Sequence, residues 1–289
     1  MSARFGPAGN AESFSKVHKS SLAAPAWIAQ QGLDCYEYQC GKGVHVGEDT
    51  ARKLGEKARG AGIALSVHAP YFINLANPDP ESRAKTINYV LESCFVAQVM
   101  GAERIVIHSG ALMKRSRQEA LDIAKETLKQ VLEACDRQGY GNITFCPETM
   151  GKINQLGDLD EVLTLCTLDE RLIPCIDFGH LYARSLGELE GERACREMLD
   201  KVERVLGEKR ACRFHSHFSR IEFTPNGGEK RHRTFADHGG FGPDWTPLAR
   251  EVARRGWSPT FICESAGTQA EDAVEMKRIY QGFCSSEEA

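Results

Sequence analysis

The sequence of 289 residues lacks the features that would place it in a membrane, in a secretory pathway or on a nucleic acid as a general coat. It has no run of about 20 apolar residues, and its first ten residues lack the apolar core of a signal peptide. It has no excess of positive charge, because 36 Lys and Arg stand against 40 Asp and Glu. We therefore expect a soluble, cytoplasmic protein with no membrane partner, in which any contact with a polyanion is local.

Paired cysteines are also missing. The eleven cysteines are an odd number, form no C-x-x-C motif and mostly lie inside apolar patterns. This distribution argues against a disulfide framework and predicts reduced thiols in the core.

What the chain does contain is a repeated construction, an apolar run of strand length that ends on a metal-binding type of side chain. A strand buried only for packing would more often end on Gly, Asn or Pro. The six residues that end such runs are His68, His108, Glu148, Asp177, His215 and Glu264.

Strands alternate with helical segments eight times, without a linker or a change in composition. We predict a helix over Ser20 to Gln31, a seventh strand over Arg213 to His217 and a long polar insertion over residues 218 to 240. Alternation of this kind predicts parallel strands, and eight units predict a single-domain (β/α)8 TIM barrel over residues 1–289. An open doubly wound sheet is the alternative, but the metal-type residues fall at the carboxyl ends of strands, where barrels have their active sites.

Imidazoles and carboxylates without thiolates suit zinc, manganese or iron. Each residue alone has a structural explanation, since a histidine can be merely hydrogen-bonded, Asp177 can cap the next helix and Glu148 can form an ion pair. Recurrence at six strand ends favours ligands. Six residues exceed the three or four that one ion needs, so two or three ions that share a carboxylate are the simplest interpretation.

Two further patterns leave alternatives open. His215 and His217 alternate on the seventh strand and share a face, so one is a candidate ligand and the other a supporting residue. The basic segments Lys114 to Arg117 and Lys230 to Arg233 are either solvated loops or local phosphate contacts.

The motifs resemble the endonuclease IV family, zinc-dependent apurinic/apyrimidinic endonucleases on a xylose-isomerase-like TIM barrel. The matching pieces, in family order, are His68-Ala69-Pro70-Tyr71 with Ile73-Asn74-Leu75-Ala76, Ile107-His108-Ser109-Gly110, Pro147-Glu148-Thr149 with Gln155-Leu156-Gly157, Asp177-Phe178-Gly179-His180, His215, Arg231-His232 and Cys263-Glu264. The resemblance implies a first zinc on His68, His108 and Glu148, a second on Glu148, Asp177, His215 and Glu264, and a third on His180 and His232.

Two positions depart from the family pattern. The aspartate that usually completes the third site is replaced by Lys230, so Glu229 substitutes for it, the Lys230 ammonium replaces the charge of the ion, or the site holds two metals. The loop Gln39 to Val46, which corresponds to a DNA-intercalating loop, is glycine-rich, with Lys42 its only Lys or Arg. Tyr71 matches a minor-groove wedge, and Lys230 and Arg231 are the remaining candidate DNA contacts.

The first hypothesis is a monomeric zinc phosphodiesterase that cuts double-stranded DNA 5′ to abasic sites, with Glu148 and Glu264 as catalytic residues and two or three Zn²⁺, or Mn²⁺, as cofactors. The second is a divalent-metal sugar isomerase or epimerase, in which the same two carboxylates move a proton beside a carbonyl. The third is a non-catalytic, metal-stabilised barrel that binds damaged DNA or a protein.

Overall fold

The computed structural model describes residues 2–287. The strands are β1 (Arg4–Pro7), β2 (Cys35–Gln39), β3 (Ala64–His68), β4 (Arg104–His108), β5 (Thr144–Glu148), β6 (Cys175–Asp177), β7 (His215–Phe218), β8 (Arg220–Thr224), β9 (Gly228–Arg233) and β10 (Thr260–Cys263). The helices are α1 (Glu12–Val17), α2 (Ala24–Gln30), α3 (Glu48–Ala61), α4 (Pro80–Met100), α5 (Arg117–Arg137), α6 (Leu159–Cys166), α7 (Phe178–Arg184), α8 (Gly191–Leu206), α9 (Glu208–Ala211), α10 (Trp245–Arg255) and α11 (Gln269–Glu287), with a 3-10 helix at Ser21–Ala23. Within this range no helix is both long and apolar enough to cross a membrane.

Eight parallel strands form one sheet in the order β1-β10-β7-β6-β5-β4-β3-β2. Its two outer strands, β1 and β2, meet where Ala8 bridges to Glu37 and the Gly9 amide donates to the Glu37 carbonyl oxygen (2.9 Å). The sheet is thereby nearly closed into a ring surrounded by helices. The predicted TIM-barrel fold is confirmed.

Local sequence signals explain where the long helices begin and end. The Ser116 side chain accepts from the Glu119 amide while the Glu119 carboxylate accepts from the Ser116 amide, a capping box that starts α5. Helix α4 is capped at its start by Asp79, whose side chain accepts from the Ser82 amide, and at its end by Gly101, whose φ of 72° favours glycine. These helices connect successive strands and fix the parallel direction of the sheet.

The strand register pairs polar residues at the carboxyl ends of neighbouring strands. His108 pairs with Glu148 across β4 and β5, and Asp177 pairs with His217 across β6 and β7. His215, two residues earlier, pairs with Cys175 one layer deeper in the barrel. Because active sites of this fold lie at the carboxyl ends of the strands, the upper layer is the candidate site.

The predicted helix over Ser20 to Gln31 is wrong at its start, because the structure has α1, then the 3-10 helix, and only then α2. Pro25 lies in the first turn of α2, where a ring without an amide hydrogen is tolerated, whereas within a continuous helix it would remove a hydrogen bond. His18, at the end of α1, is extended with φ −123°. The segment between β1 and β2 therefore contains three short helical pieces, and only the last of them, α2, matches the predicted helix.

The predicted polar insertion contains an antiparallel ribbon of β8 and β9 that packs beside α7 and covers one side of the barrel mouth. Its polarity reflects one ion cluster, in which Lys230, Arg231 and Arg233 all contact the Glu222 carboxylate. These hydrogen bonds lower the pKa of Glu222 to about 2. The three cationic side chains around Glu222 explain why the segment has little apolar patterning.

Candidate metal centre

Glu148 lies at the centre of the polar layer, at the end of β5, and is almost completely buried. Its Oε2 is 3.3 Å from Nε2 of both His68 and His108, and its Oε1 is 3.1 Å from Nδ1 of His217. Burial alone would raise the pKa of this carboxyl, but His217, His108 and His180 hold it well below its usual range. The carboxylate can therefore bridge two groups of nitrogen donors.

The histidines around Glu148 are oriented by a hydrogen bond at one ring nitrogen. Nδ1 donates to a carbonyl oxygen in His68 (Ala69, 2.7 Å), His108 (Tyr71, 3.2 Å) and His180 (Thr149, 2.9 Å). Because a carbonyl oxygen only accepts, each Nδ1 carries hydrogen and Nε2 is the atom available to a ligand. Metal-binding histidines are commonly fixed in this way.

Asp177 shows a second feature of a cation site. One carboxylate oxygen accepts from the His180 amide (2.7 Å), so Asp177 does cap α7. The other oxygen, Oδ2, is buried and accepts no hydrogen bond among the described residues, although His180 Nδ1 is 3.2 Å away. Burial raises the pKa of Asp177. An orphaned carboxylate oxygen next to Glu148 is what a bound cation would satisfy.

Two groups of donors complete the centre. Ligand atoms of Glu148, Asp177, His217 and Glu264 lie within 4.8 Å of one another, and those of His180, His232 and Glu264 do the same. The donors are nitrogen and oxygen atoms, a set that fits zinc and also manganese.

His215 was expected to be a ligand of the second ion, but its side chain lies below the centre. The side chain of His217 occupies the expected position next to Glu148. His215 Nε2 donates to Glu37 (2.9 Å) and its Nδ1 lies 3.5 Å from the Arg104 guanidinium. Burial lowers the pKa of His215 to about 4, so it is a neutral core residue. The two histidines share a face, as predicted, but the later one reaches the rim layer. The sequence offered one signal for this, because His217 lies nearer than His215 to the carboxyl end of β7.

Glu37 was missed in the sequence, where it lies inside the apolar strand β2. It is fully buried and accepts hydrogen bonds from Ser66 Oγ, His215 Nε2, His217 Nε2 and Gln39 Nε2, at 2.9 to 3.1 Å. Burial would raise the pKa of Glu37, but the two histidines hold it well below its usual range. A charged residue inside a strand was the only local signal.

An irregularity in the ribbon brings Glu229 close to the group of His180, His232 and Glu264. Phe223 pairs with Glu229 and Glu222 pairs with Arg231, so Lys230 is an extra residue, a β-bulge. The bulge puts Glu229 on the same face as His232, and Glu229 Oε2 is 3.5 Å from His180 Nε2. Lys230 points instead to Glu222. Of the three alternatives for this position, substitution by Glu229 fits the geometry.

The remaining candidate DNA contacts surround the mouth. Tyr71 is more than half exposed, stacks on His108 (centroids 5.7 Å apart) and lies so close to Gly41 that a Cβ there would be 2.3 Å from the ring. Lys42 is exposed in the same loop as Gly41. Arg231 is exposed but paired with Glu222.

The centre opens into a cavity of about 460 Å³. Its lining residues are His68, Tyr71, His108, Glu148, Met150, Lys152, Gln155, His180, Glu229, His232 and Glu264. A second cavity of about 580 Å³ adjoins it on the far side of Tyr71 and includes Lys230, Arg231 and Gln269. The polar layer around Glu148 is thus the floor of an extended cleft.

The sequence and the fold agree with those of a known family. A model of the family described as xylose isomerase-like TIM barrel matches residues 25–280. The chain belongs to this family and is an enzyme of that superfamily.

Two sequence relatives illustrate the kinds of protein that this chain resembles. An uncharacterized protein of Methanocaldococcus jannaschii is 34% identical over 253 residues, which cover 88% of this chain and 89% of the relative. A probable endonuclease 4 of Acholeplasma laidlawii is 32% identical over 121 residues, 40% of each chain. The resemblance to endonuclease IV is confirmed by relatives of this kind.

Solved structures of two types share the fold over nearly the whole chain. A D-tagatose 3-epimerase-like protein superposes with a TM-score of 0.74 and 19% identity, covering 99% of this chain and 100% of that one. Endonuclease IV from Thermus thermophilus superposes with a TM-score of 0.67 and 18% identity, with the same coverage.

Proposed function

We propose that this protein is a zinc-dependent phosphodiesterase that hydrolyses the DNA backbone on the 5′ side of abasic sites. The observation that carries the proposal is the surplus of oriented histidines. The group Glu148, Asp177, His217 and Glu264 could hold one ion, yet four more histidines face the same cavity. An enzyme that needs one metal has no use for them.

The donors divide into three sets. His68, His108 and Glu148 would hold a first ion, Glu148, Asp177, His217 and Glu264 a second, and His180, His232 and Glu229 a third. When bound, zinc supplies Lewis-acid stabilisation of a phosphate and lowers the pKa of water.

The two carboxylates have different access to the substrate cleft. Glu148 is 1% exposed and contacts histidines on both sides, which suits a bridging ligand. Glu264 is 16% exposed, lines the cavity and lies 3.5 Å from His217, so it can accept a proton from the attacking water.

DNA would lie across both cavities. Tyr71, at the boundary between them, presents an exposed aromatic face that can stack at the gap left by a missing base. Lys152 lies on one side of the cleft, and Lys230 and Arg231 lie on the other, so phosphates can be contacted on both sides. Lys42 extends this border from the adjacent loop.

The test is cleavage of a labelled duplex that carries one stable abasic analogue. We expect chelator-sensitive nicking on the 5′ side that leaves a 3′ hydroxyl, and its loss in His108→Ala with loss of zinc. His238→Ala, an exposed histidine outside the centre, is the matched control and should keep full activity. A zinc-loaded wild type that leaves the duplex intact would overturn the proposal.

A sugar isomerase or epimerase is the second candidate. The four-donor group around Glu148 and Glu264 is sufficient for one ion, and the pair can remove and return a proton beside a carbonyl. Incorporation of solvent deuterium into a ketose by metal-loaded protein, without duplex cleavage, would establish this function instead.

A further inference from the structure

The Glu37 side chain lies directly below the metal centre and does not line the cleft. Its two oxygens have different partners, since Oε1 accepts from His217 Nε2 (2.9 Å) and Oε2 accepts from His215 Nε2 (2.9 Å) and Ser66 Oγ (2.9 Å). The carboxylate of Glu37, on β2, is therefore held by two further strands, β3 and β7.

His217 is the histidine that this arrangement affects. The three histidines of the rim described above donate from Nδ1 to a backbone carbonyl and present Nε2. His217 is reversed, because Nε2 faces Glu37 and Nδ1 faces Glu148 (3.1 Å) and Glu264 (3.5 Å). Carboxylates are the nearest partners of both its ring nitrogens, and the Cys175 thiol lies beside the ring, so its orientation depends on side chains.

We propose that Glu37 is a positioning residue that fixes His217 with hydrogen on Nε2 and with Nδ1 as the metal-binding atom. The proposal rests on the metal site of the proposed function but not on its substrate. A carboxylate behind a ligating imidazole orients the ring and strengthens its donor nitrogen, and losing such a partner typically weakens metal binding about 10- to 100-fold.

A purely structural role for Glu37 would have a different outcome. If the carboxylate only compensated its buried neighbours, Glu37→Gln would lower stability without changing the affinity for zinc. The first experiment identifies the metal-binding nitrogen in the wild type. Protein labelled with ¹⁵N-histidine and loaded with ¹¹³Cd²⁺ should show metal coupling to Nδ1 of His217 and hydrogen on Nε2. Coupling to Nε2 would overturn the proposal, as would the absence of any coupling to His217.

The second experiment compares variants by zinc competition with a chromophoric chelator. Glu37→Gln should weaken the tightest zinc site about 10- to 100-fold, and Glu37→Asp, which keeps the carboxylate, should recover part of this loss. Ser66→Ala is the control, because it removes a hydrogen bond to Glu37 without touching His217. Unchanged zinc affinity in a folded Glu37→Gln protein would contradict the proposal. If Glu37→Gln does not fold, the wild-type coupling decides.

The experiments distinguish a failure of the Glu37 proposal from a failure of the proposed endonuclease function. A wild type that binds zinc through Nδ1 of His217 but does not cut DNA leaves the Glu37 role intact and removes the endonuclease function. A wild type that binds neither zinc nor cadmium removes both.

Discussion

At the scale of single residues, His215 and His217 show what two positions on a strand can decide. They share a face, but one lies a layer deeper, between Glu37 and Arg104, and the other reaches Glu148. The sequence predicts the shared face from the period of two. It does not give the depth, because the register between β6 and β7 is set by pairing partners that are distant in the chain, such as Cys175 and His215.

This difference predicts opposite behaviour of two substitutions. His217→Ala should lose the ion held by the four-donor group, and zinc per protein, measured by mass spectrometry, should fall. His215→Asn should keep its zinc but lower the free energy of unfolding by about 1–3 kcal/mol, because polar partners are left unsatisfied in the core. Chemical denaturation measures that loss. Zinc lost from His215→Asn and retained by His217→Ala would reverse the assignment.

At the scale of elements, the bulge in β9 lets Glu229, three residues before His232, take the position expected for an acidic residue two residues before it. The antiparallel pairing puts Ile221 and Phe223 on one face, and their partners His232 and Glu229 follow them. Lys230 is displaced toward Glu222. A bulge depends on the hydrogen-bond pattern of two paired strands, so the sequence left three alternatives for this position.

Two deletions of equal length test the bulge. Removing Lys230 should leave a regular strand in which Glu229 stands two residues before His232, on the same face, so the third ion should be kept. Removing Glu229 puts Lys230 in that place, and the third ion should be lost. Zinc stoichiometry after dialysis is the measurement. Equal zinc content in the two deletions would show that Glu229 is not a ligand.

The barrel itself was predictable at this scale from alternation. Strands β3, β4 and β5 end at the predicted residues His68, His108 and Glu148, because apolar runs bounded by helical segments are a strong local signal. Glu37 was not predictable in the same way, since its partners His215 and His217 lie 178 and 180 residues away. Long-range contacts of this kind appear only when the ring of strands is assembled.

At the scale of the whole molecule, the buried histidines of the candidate metal centre couple stability to pH. In the protein without metal, burial opposes the charged form of His180 and His217, but neighbouring carboxylates for His180, and Cys175 together with neighbouring carboxylates for His217, hold their pKa well above the usual value. Groups of this type stabilise the fold below about pH 6.5, the pKa of an unfolded histidine, and lose that contribution as the pH rises through the folded pKa. Zinc binds the deprotonated rings and therefore acts in the opposite direction.

The gap in melting temperature between zinc-loaded and chelator-treated protein should consequently widen from about pH 6 to about pH 8. Free zinc at about a hundred times Kd adds about 2.7 kcal/mol to the free energy of unfolding. Differential scanning calorimetry at both pH values measures the gap. A gap that is equal at the two values would mean that the histidines do not exchange protons for metal.

The seam between β1 and β2 gives the closing residue of the barrel a double role. The Glu37 carbonyl oxygen accepts from Gly9, while its carboxylate accepts from His217. One residue thus takes part both in the main-chain contact that closes the ring of strands and in the hydrogen bonds below the candidate metal centre. We therefore expect an ion that orders His217 and Glu37 also to stabilise the contact between β1 and β2, so that filling the centre strengthens the closure of the barrel.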